Sequence, residues 1–176
     1  ICDHKPDYLN ALRLLESAPT RLGVYASLGN HEYIRGIGRI RRHFDQTTIP
    51  LLVDEGLSLP IGDATLYLGG ADDPRFLRSG KSYQRLQNSV EKAVADAPSD
   101  AFTLLMSHRS QALNYAAPLG GVELILAGHT HGFQFGLAGR SVFEPLFPQR
   151  YIWGHYQREN TQLYTTAGVG HWLPFR

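Results

Sequence analysis

Val122-Glu123-Leu124-Ile125-Leu126-Ala127-Gly128-His129-Thr130-His131-Gly132 joins a short, largely apolar run to a pair of histidines bracketed by glycines. A run of this length between turn signals reads as a buried strand. Two other segments repeat the pattern. Residues 22–28 lead into Gly29-Asn30-His31-Glu32, and residues 102–106 lead into Ser107-His108. In open α/β sheets, ligand sites lie outside the carboxyl ends of the strands. Three strands that end in imidazole or amide groups therefore point to an α/β fold with one convergent metal site.

A chain of 176 residues suits one domain with a sizeable core. Charged residues make up 19% of it, below the usual share of about 25%. That fits buried sheet and argues against disorder. Cys2 is the only cysteine, which excludes an internal disulfide and a Cys-ligated zinc site. No apolar stretch approaches the roughly 18 residues of a membrane span, and no signal peptide is visible. The chain begins at Ile1 rather than Met, so it is read as lacking its original N-terminus.

The rest of the pattern alternates helices and strands. Tyr8, Leu9, Leu12 and Leu15 predict a helix over residues 6–17. A second is expected over 33–44, weakened by Gly36 and Gly38, and a clearer one over 83–97, closed by Pro98. Residues 111–117 read as a helical turn. Residues 49–53 and 58–59 read as strands, and Gly62-Asp63 turns into a strand over 65–68 as a hairpin. Residues 133–137, 151–157 and 162–166 alternate in the style of antiparallel pairs. No repeat or linker interrupts the single domain over 1–176.

Neutral imidazole is the commonest metal ligand, and Asn offers a carbonyl oxygen. In an extended segment His129 and His131 would share one face, with Cα atoms about 6.6–6.8 Å apart. That spacing suits chelation of one ion, or one ligand each to two ions about 3.5–4 Å apart, and geometry alone does not choose. His4, His43 and His155 lack such context and read as ordinary polar residues. His171, between Gly170 and Trp172, reads as part of a plain turn.

Taken together, these motifs resemble the calcineurin-like metallophosphoesterase family. Gly29-Asn30-His31-Glu32 is similar to its GNH[DE] block, His108 to its lone His after a strand, and Gly128-His129-Thr130-His131 to its GHxH block. The likeness covers nearly the whole chain. It is strongest to the small bacterial branch of phosphoesterases and phosphodiesterases, whose chains end in a Gly-x-Gly and Pro-x-Arg stretch like residues 168–176. The resemblance implies an αββα sandwich of two mixed β-sheets flanked by helices, and two divalent ions, with Mn, Fe or Zn fitting N and O ligands. Asn30, His108 and His129 would bind one ion and His131 the other. His31 would be the general acid that protonates the leaving oxygen, and a metal-bridged hydroxide the nucleophile. The implied substrate is a phosphomonoester or phosphodiester that is a small molecule, a nucleotide or lipid-linked.

The chain departs from the family pattern in two places. The Asp-x-His and Gly-Asp-x-x-Asp blocks that should precede Gly29 are missing, together with the first strand or strands of the fold. Asp3 falls at the last Asp of the second block if a Gly-Asp directly preceded Ile1, and does not if one more residue intervened. The expectation is a chain truncated just after that block and inactive by itself. The alternative is a non-catalytic binding module with a remnant metal site. Arg109-Ser110-Gln111 also replaces the Asn-Pro often found after the lone His, a change expected to touch substrate contacts rather than ligation.

Secondary signals carry less. Gly80-Lys81-Ser82 lacks the glycine that a P-loop needs at position 75, which is Arg75. Asp72-Asp73 before Pro74 reads as a turn cap, and Tyr151, Trp153 and Tyr156 as sheet packing. Arg35, Arg39 and Arg42 line one face of the 33–44 helix, with Ile34, Ile37, Ile40 and Phe44 on another. That reads as a surface helix, or functionally as a rim for substrate phosphate or for peripheral association with an anionic membrane. No nucleic acid partner is expected, because net charge is +1 and no aromatic platform accompanies those arginines. Localisation stays open between cytoplasm and membrane.

Overall fold

In the computed structural model, residues 8–77, 79–137, 140–147 and 150–168 are described. The elements in chain order are α1 (Tyr8–Glu16), β1 (Ala26–Ser27), α2 (Asn30–Arg35), α3 (Ile37–Phe44), β2 (Leu51–Leu52), β3 (Glu55–Ile61) and β4 (Ala64–Gly70). They continue with α4 (Gly80–Val94), β5 (Phe102–Ser107), α5 (Leu113–Leu119), β6 (Leu124–Ala127), β7 (Gly136–Leu137), β8 (Arg140–Ser141), β9 (Gly154–Arg158) and β10 (Thr161–Thr165).

Six strands form one mixed sheet in the order β3-β4-β5-β6-β10-β9. The hairpin β3–β4 forms as expected, with Gly62 at φ 61° supplying the left-handed turn. β4, β5, β6 and β10 run parallel, and β9 pairs antiparallel to β10 at the edge. β1 and β2 form a separate short parallel pair laid against β5 and β4. The α/β architecture of mixed sheet and helices is thus the expected one.

Helices α4 and α5 cover one face of the large sheet. Leu86 and Val90, four residues apart on α4, meet Leu105 of β5, Ile125 of β6 and Leu163 of β10, all fully buried. At Gly69 the sheet lets the helix in: a Cβ there would lie 2.5 Å from the Ala93 carbonyl oxygen. A second cluster joins Tyr8 and Leu12 of α1 to Ile40 and Phe44 of α3 and to Ile49.

Three expected elements are corrected. The strand over 22–28 shrinks to Ala26–Ser27, because only these residues find ladder partners, Leu51 and Leu52. The 33–44 helix is two helices, broken at Gly36, whose φ of 97° no helix allows. Helix α2 also begins earlier than expected, at Asn30. The strand over 133–137 is mostly absent. Residues His131–Gln134 form a distorted 3₁₀ turn with Gly132 and Phe133 in left-handed conformations, and only Gly136–Leu137 pairs with Arg140–Ser141.

Candidate metal centre

Parallel register places Ser107 of β5 beside Ala127 of β6. The residues that follow therefore leave the sheet side by side, with the Gly128 N–H donating to the His108 carbonyl at 3.3 Å. Asn30 arrives from the other direction, at the start of α2. The ring of His108 lies against Gly29, where a Cβ would come within 3.0 Å of the ring and of the Glu32 carboxylate. Glycine is needed there for close approach. The Glu32 carboxylate accepts the Gly29 N–H at 2.9 Å and the Tyr8 hydroxyl at 3.3 Å. Its task is to anchor the entry of α2, which keeps Asn30 in place.

Three side chains converge. His108 Nε2 lies 2.9 Å from Asn30 Oδ1 and 3.2 Å from His129 Nδ1. Donor atoms bound to one ion at right angles, with bonds of about 2.1 Å, are spaced by about 3 Å. The two spacings about His108, 2.9 and 3.2 Å, are close to that, and the N and O chemistry fits a divalent cation. Burial holds the His108 ring well below the ordinary imidazole range, reinforced by His129 and Arg109. Burial, followed by the Arg109 guanidinium, lowers His129 to about 4. Both rings are therefore neutral at pH 7, the form that ligates metals.

His129 and His131 do not sit in an extended segment. Their φ values are 73° and 52°, and Thr130 between them is helical, so the shared-face geometry does not apply. The Thr130 hydroxyl donates to the Ile152 carbonyl and fastens the turn to the protein body. His131 lies on the Gly168 side of the turn, its Nδ1 4.0 Å from where a Gly168 Cβ would be. His31, on the first turn of α2, is near enough for its charge to act on both His108 and His129. Among the described residues, no group of three or more His, Cys, Asp or Glu side chains is placed to hold one ion. The converging set is two imidazoles and one amide.

Arg109 joins this cluster from the loop after β5. It is buried, with its Nε 2.8 Å from Asp73 Oδ2 and its Nη2 3.0 Å from the Arg75 carbonyl. Its Nη1 reaches His129 Nε2 at 2.5 Å. Arginine only donates, so His129 Nε2 accepts and the imidazole proton sits on Nδ1 in the metal-free protein. Arg109 thus bears directly on His129. Asp73, whose side chain is fully buried, also accepts the Arg75 N–H at 2.6 Å, so it is both the expected turn cap and the counter-ion of Arg109. Burial raises the Asp73 carboxyl, and Arg109 pulls it back. Beside Asp73 a cleft of about 710 Å³ opens, with Tyr33, Asp72, Arg75, Lys81 and Arg85 in its walls. The Tyr33 hydroxyl bonds both Asp72 carboxylate oxygens, at 2.6 and 2.7 Å. Sequence reasoning missed the Arg109–Asp73 pair, since its partners are 36 residues apart.

Among the described residues, the other two histidines meet neighbours outside this cluster. His43 stacks on Tyr8 at 5.8 Å, and His155 meets Gln162 at 3.2 Å. Asp3, His4 and His171 lie outside the described residues. The arginines 35, 39 and 42 are split between α2 and α3 by the Gly36 break, and Arg39 donates to the Arg35 carbonyl at 2.6 Å.

No family model matches the chain. Curated relatives do. An uncharacterized metallophosphoesterase of Campylobacter jejuni is 30% identical over 174 residues, covering 96% of this chain and 42% of that protein. One from Helicobacter pylori is 27% identical over 160 residues, covering 88% of this chain and 39% of that protein. A putative metallophosphoesterase of Caenorhabditis elegans is 29% identical over 163 residues, covering 86% of this chain and 32% of that protein. The chain thus spans well under half the length of these relatives. Among solved structures, a sulfate thiohydrolase, SoxB, from Thermus thermophilus in complex with glycerol shares the fold. Its TM-score is 0.52 at 21% identity, over 83% of this chain and 28% of that one. With the GNH, lone-His and GHxH motifs placed as described, the chain is similar to metallophosphoesterases over most of its length.

Proposed function

We propose that this chain carries part of the active site of a metal-dependent phosphoesterase. The observation that supports this reading best is the meeting of Asn30 Oδ1, His108 Nε2 and His129 Nδ1, brought together from three elements within 3.2 Å contacts. The names of the relatives point the same way. Asn30, His108 and His129 would hold one divalent ion, and His131 would serve a second. When bound, such ions supply Lewis acidity and a water of lowered pKa.

The chain's own groups have distinct tasks. Asn30 offers its carbonyl oxygen without a proton to lose. Burial keeps His108 and His129 neutral, so each has a lone pair at pH 7. Arg109 holds the far side of the His129 ring. Were His129 to hold a metal through Nδ1, its ring proton would sit on Nε2, where Arg109 could no longer donate. His31, near these rings, would give its proton to the departing ester oxygen. Such catalysis contributes roughly 10²–10⁴-fold.

A phosphomonoester and phosphodiester panel, assayed with Mn, Fe or Zn on the full chain, tests the reading. Hydrolysis that a chelator abolishes is expected. In His31→Ala, turnover should fall by roughly 10²–10⁴-fold with bound metal unchanged. Metal binding without hydrolysis of any ester would favour the second reading, a binding module with a remnant site. That reading draws on the converging set, among the described residues, holding only two imidazoles and an amide.

A further inference from the structure

The segment that follows the metal-site turn presents an apolar surface to solvent. Leu137 is 80% exposed, Leu146 70% and Val142 58%. Phe135 and Phe147 are exposed as well. These side chains stand on an ordered base. The Phe133 ring lies 6.0 Å from that of Phe143 and 5.7 Å from that of Phe147, and Phe135 lies 6.0 Å from Phe143. Trp153 fastens the base to the body so closely that a Cβ at Gly136 would fall 2.0 Å from its ring.

The charges along this segment are mostly positive. Arg140 and Arg150 are exposed, and the Arg150 guanidinium lies 4.9 Å over the Phe147 ring. Glu144 is the only acid between residues 131 and 147. It is half-buried, and its carboxylate lies near enough to the Tyr156 hydroxyl to oppose that group's ionisation. Exposed apolar side chains flanked by two exposed arginines, with a single half-buried acid among them, match an anionic bilayer. The apolar side chains enter the acyl boundary and the cations meet lipid phosphates. A groove-binding peptide would need a concavity, whereas these leucines project.

We propose that Leu137, Val142 and Leu146, with Arg140 and Arg150, form a docking face for an anionic lipid bilayer. The proposal uses a different surface from the arginines of α2 and α3. It does not depend on phosphoesterase activity, so the two readings fail separately.

Co-sedimentation of the full chain with phosphatidylcholine vesicles, with and without phosphatidylglycerol, tests it. Binding should be at least about tenfold tighter to the phosphatidylglycerol vesicles and weaken with salt. Leu137→Ser with Leu146→Ser should reduce binding at least about tenfold. Circular dichroism and the unfolding midpoint should not change, because both leucines are exposed. Arg140→Gln with Arg150→Gln should remove the preference for phosphatidylglycerol. Absence of binding to anionic vesicles at low salt would overturn the proposal, as would equal binding by the Leu137→Ser/Leu146→Ser variant. A concentration-dependent dimer that this variant abolishes, without vesicle binding, would overturn it in favour of a second copy.

Discussion

The carboxyl ends of β5 and β6 and the segment after β6 are neighbours in the chain, yet they are built by different rules. At the strand ends, parallel register aligns Ser107 with Ala127 and leaves little choice about where His108 and Gly128 emerge. Buried partners then fix the rings: Gly29 beneath His108, and Arg109 against His129. Beyond His131 the backbone makes left-handed turns and two-residue strands, and its leucines face solvent. The difference teaches that buried contacts fix the side chains at the strand ends, while the appended segment presents its side chains to solvent. A substitution in the first region should disturb folding and ligation together. One in the second should leave both intact.

The sharpest way to break the first region is Arg109→Ala. It leaves the fully buried Asp73 carboxylate without its counter-ion. Removing one partner of a buried pair costs about 3–5 kcal/mol, so the urea midpoint should drop strongly. Asp73→Asn combined with Arg109→Met should be milder than Arg109→Ala alone. An unchanged midpoint in Arg109→Ala would place the pair outside the structure's support. By contrast, Leu137→Ser should leave the midpoint within about 0.5 kcal/mol of wild type.

Gly29→Ala tests the close approach. The new Cβ would meet the His108 ring and Glu32 at 3.0 Å, so overpacking of about 1–3 kcal/mol is expected. Metal affinity should fall with it, since His108 must shift. Calorimetric titration with Zn or Mn checks this, and wild-type affinity in the variant would count against the packing argument.

The pH dependence is the most gradual effect. His129 is lowered from 6.5 to about 4 in the folded chain, chiefly by burial, and His108 is lowered as well. Between those values the unfolded state binds more protons, so stability rises with pH through the window. It is lost as pH falls from about 6.5 towards 4. Urea unfolding at several pH values should show this slope in metal-free protein, and His129→Asn should flatten it. An equal slope in wild type and variant would assign the titration elsewhere.

How far the sequence could be read follows the same division. The runs before His108 and His129 are short, apolar and bounded, so their strands are legible in the sequence. Residues 22–28 looked like a longer strand because apolar pattern does not reveal how many partners a strand will find. Residues 33–44 looked like one helix because Gly36 inside a periodic stretch is a cost rather than a certain stop. Residues 133–137 looked extended because alternation does not encode the left-handed turns at Gly132 and Phe133. Arg109–Asp73 was illegible for another reason: each residue is ordinary in its own segment, and only tertiary contact makes the pair.

The central claim is that Asn30, His108 and His129 converge on one divalent ion. Metal analysis of the full chain and of Asn30→Ala, His108→Ala and His129→Ala, purified and loaded identically with Mn, tests it most directly. The account predicts bound Mn in the wild type, a comparable loss in all three variants, and no loss in Leu137→Ser. Full metal content in any of the three converging variants would contradict it.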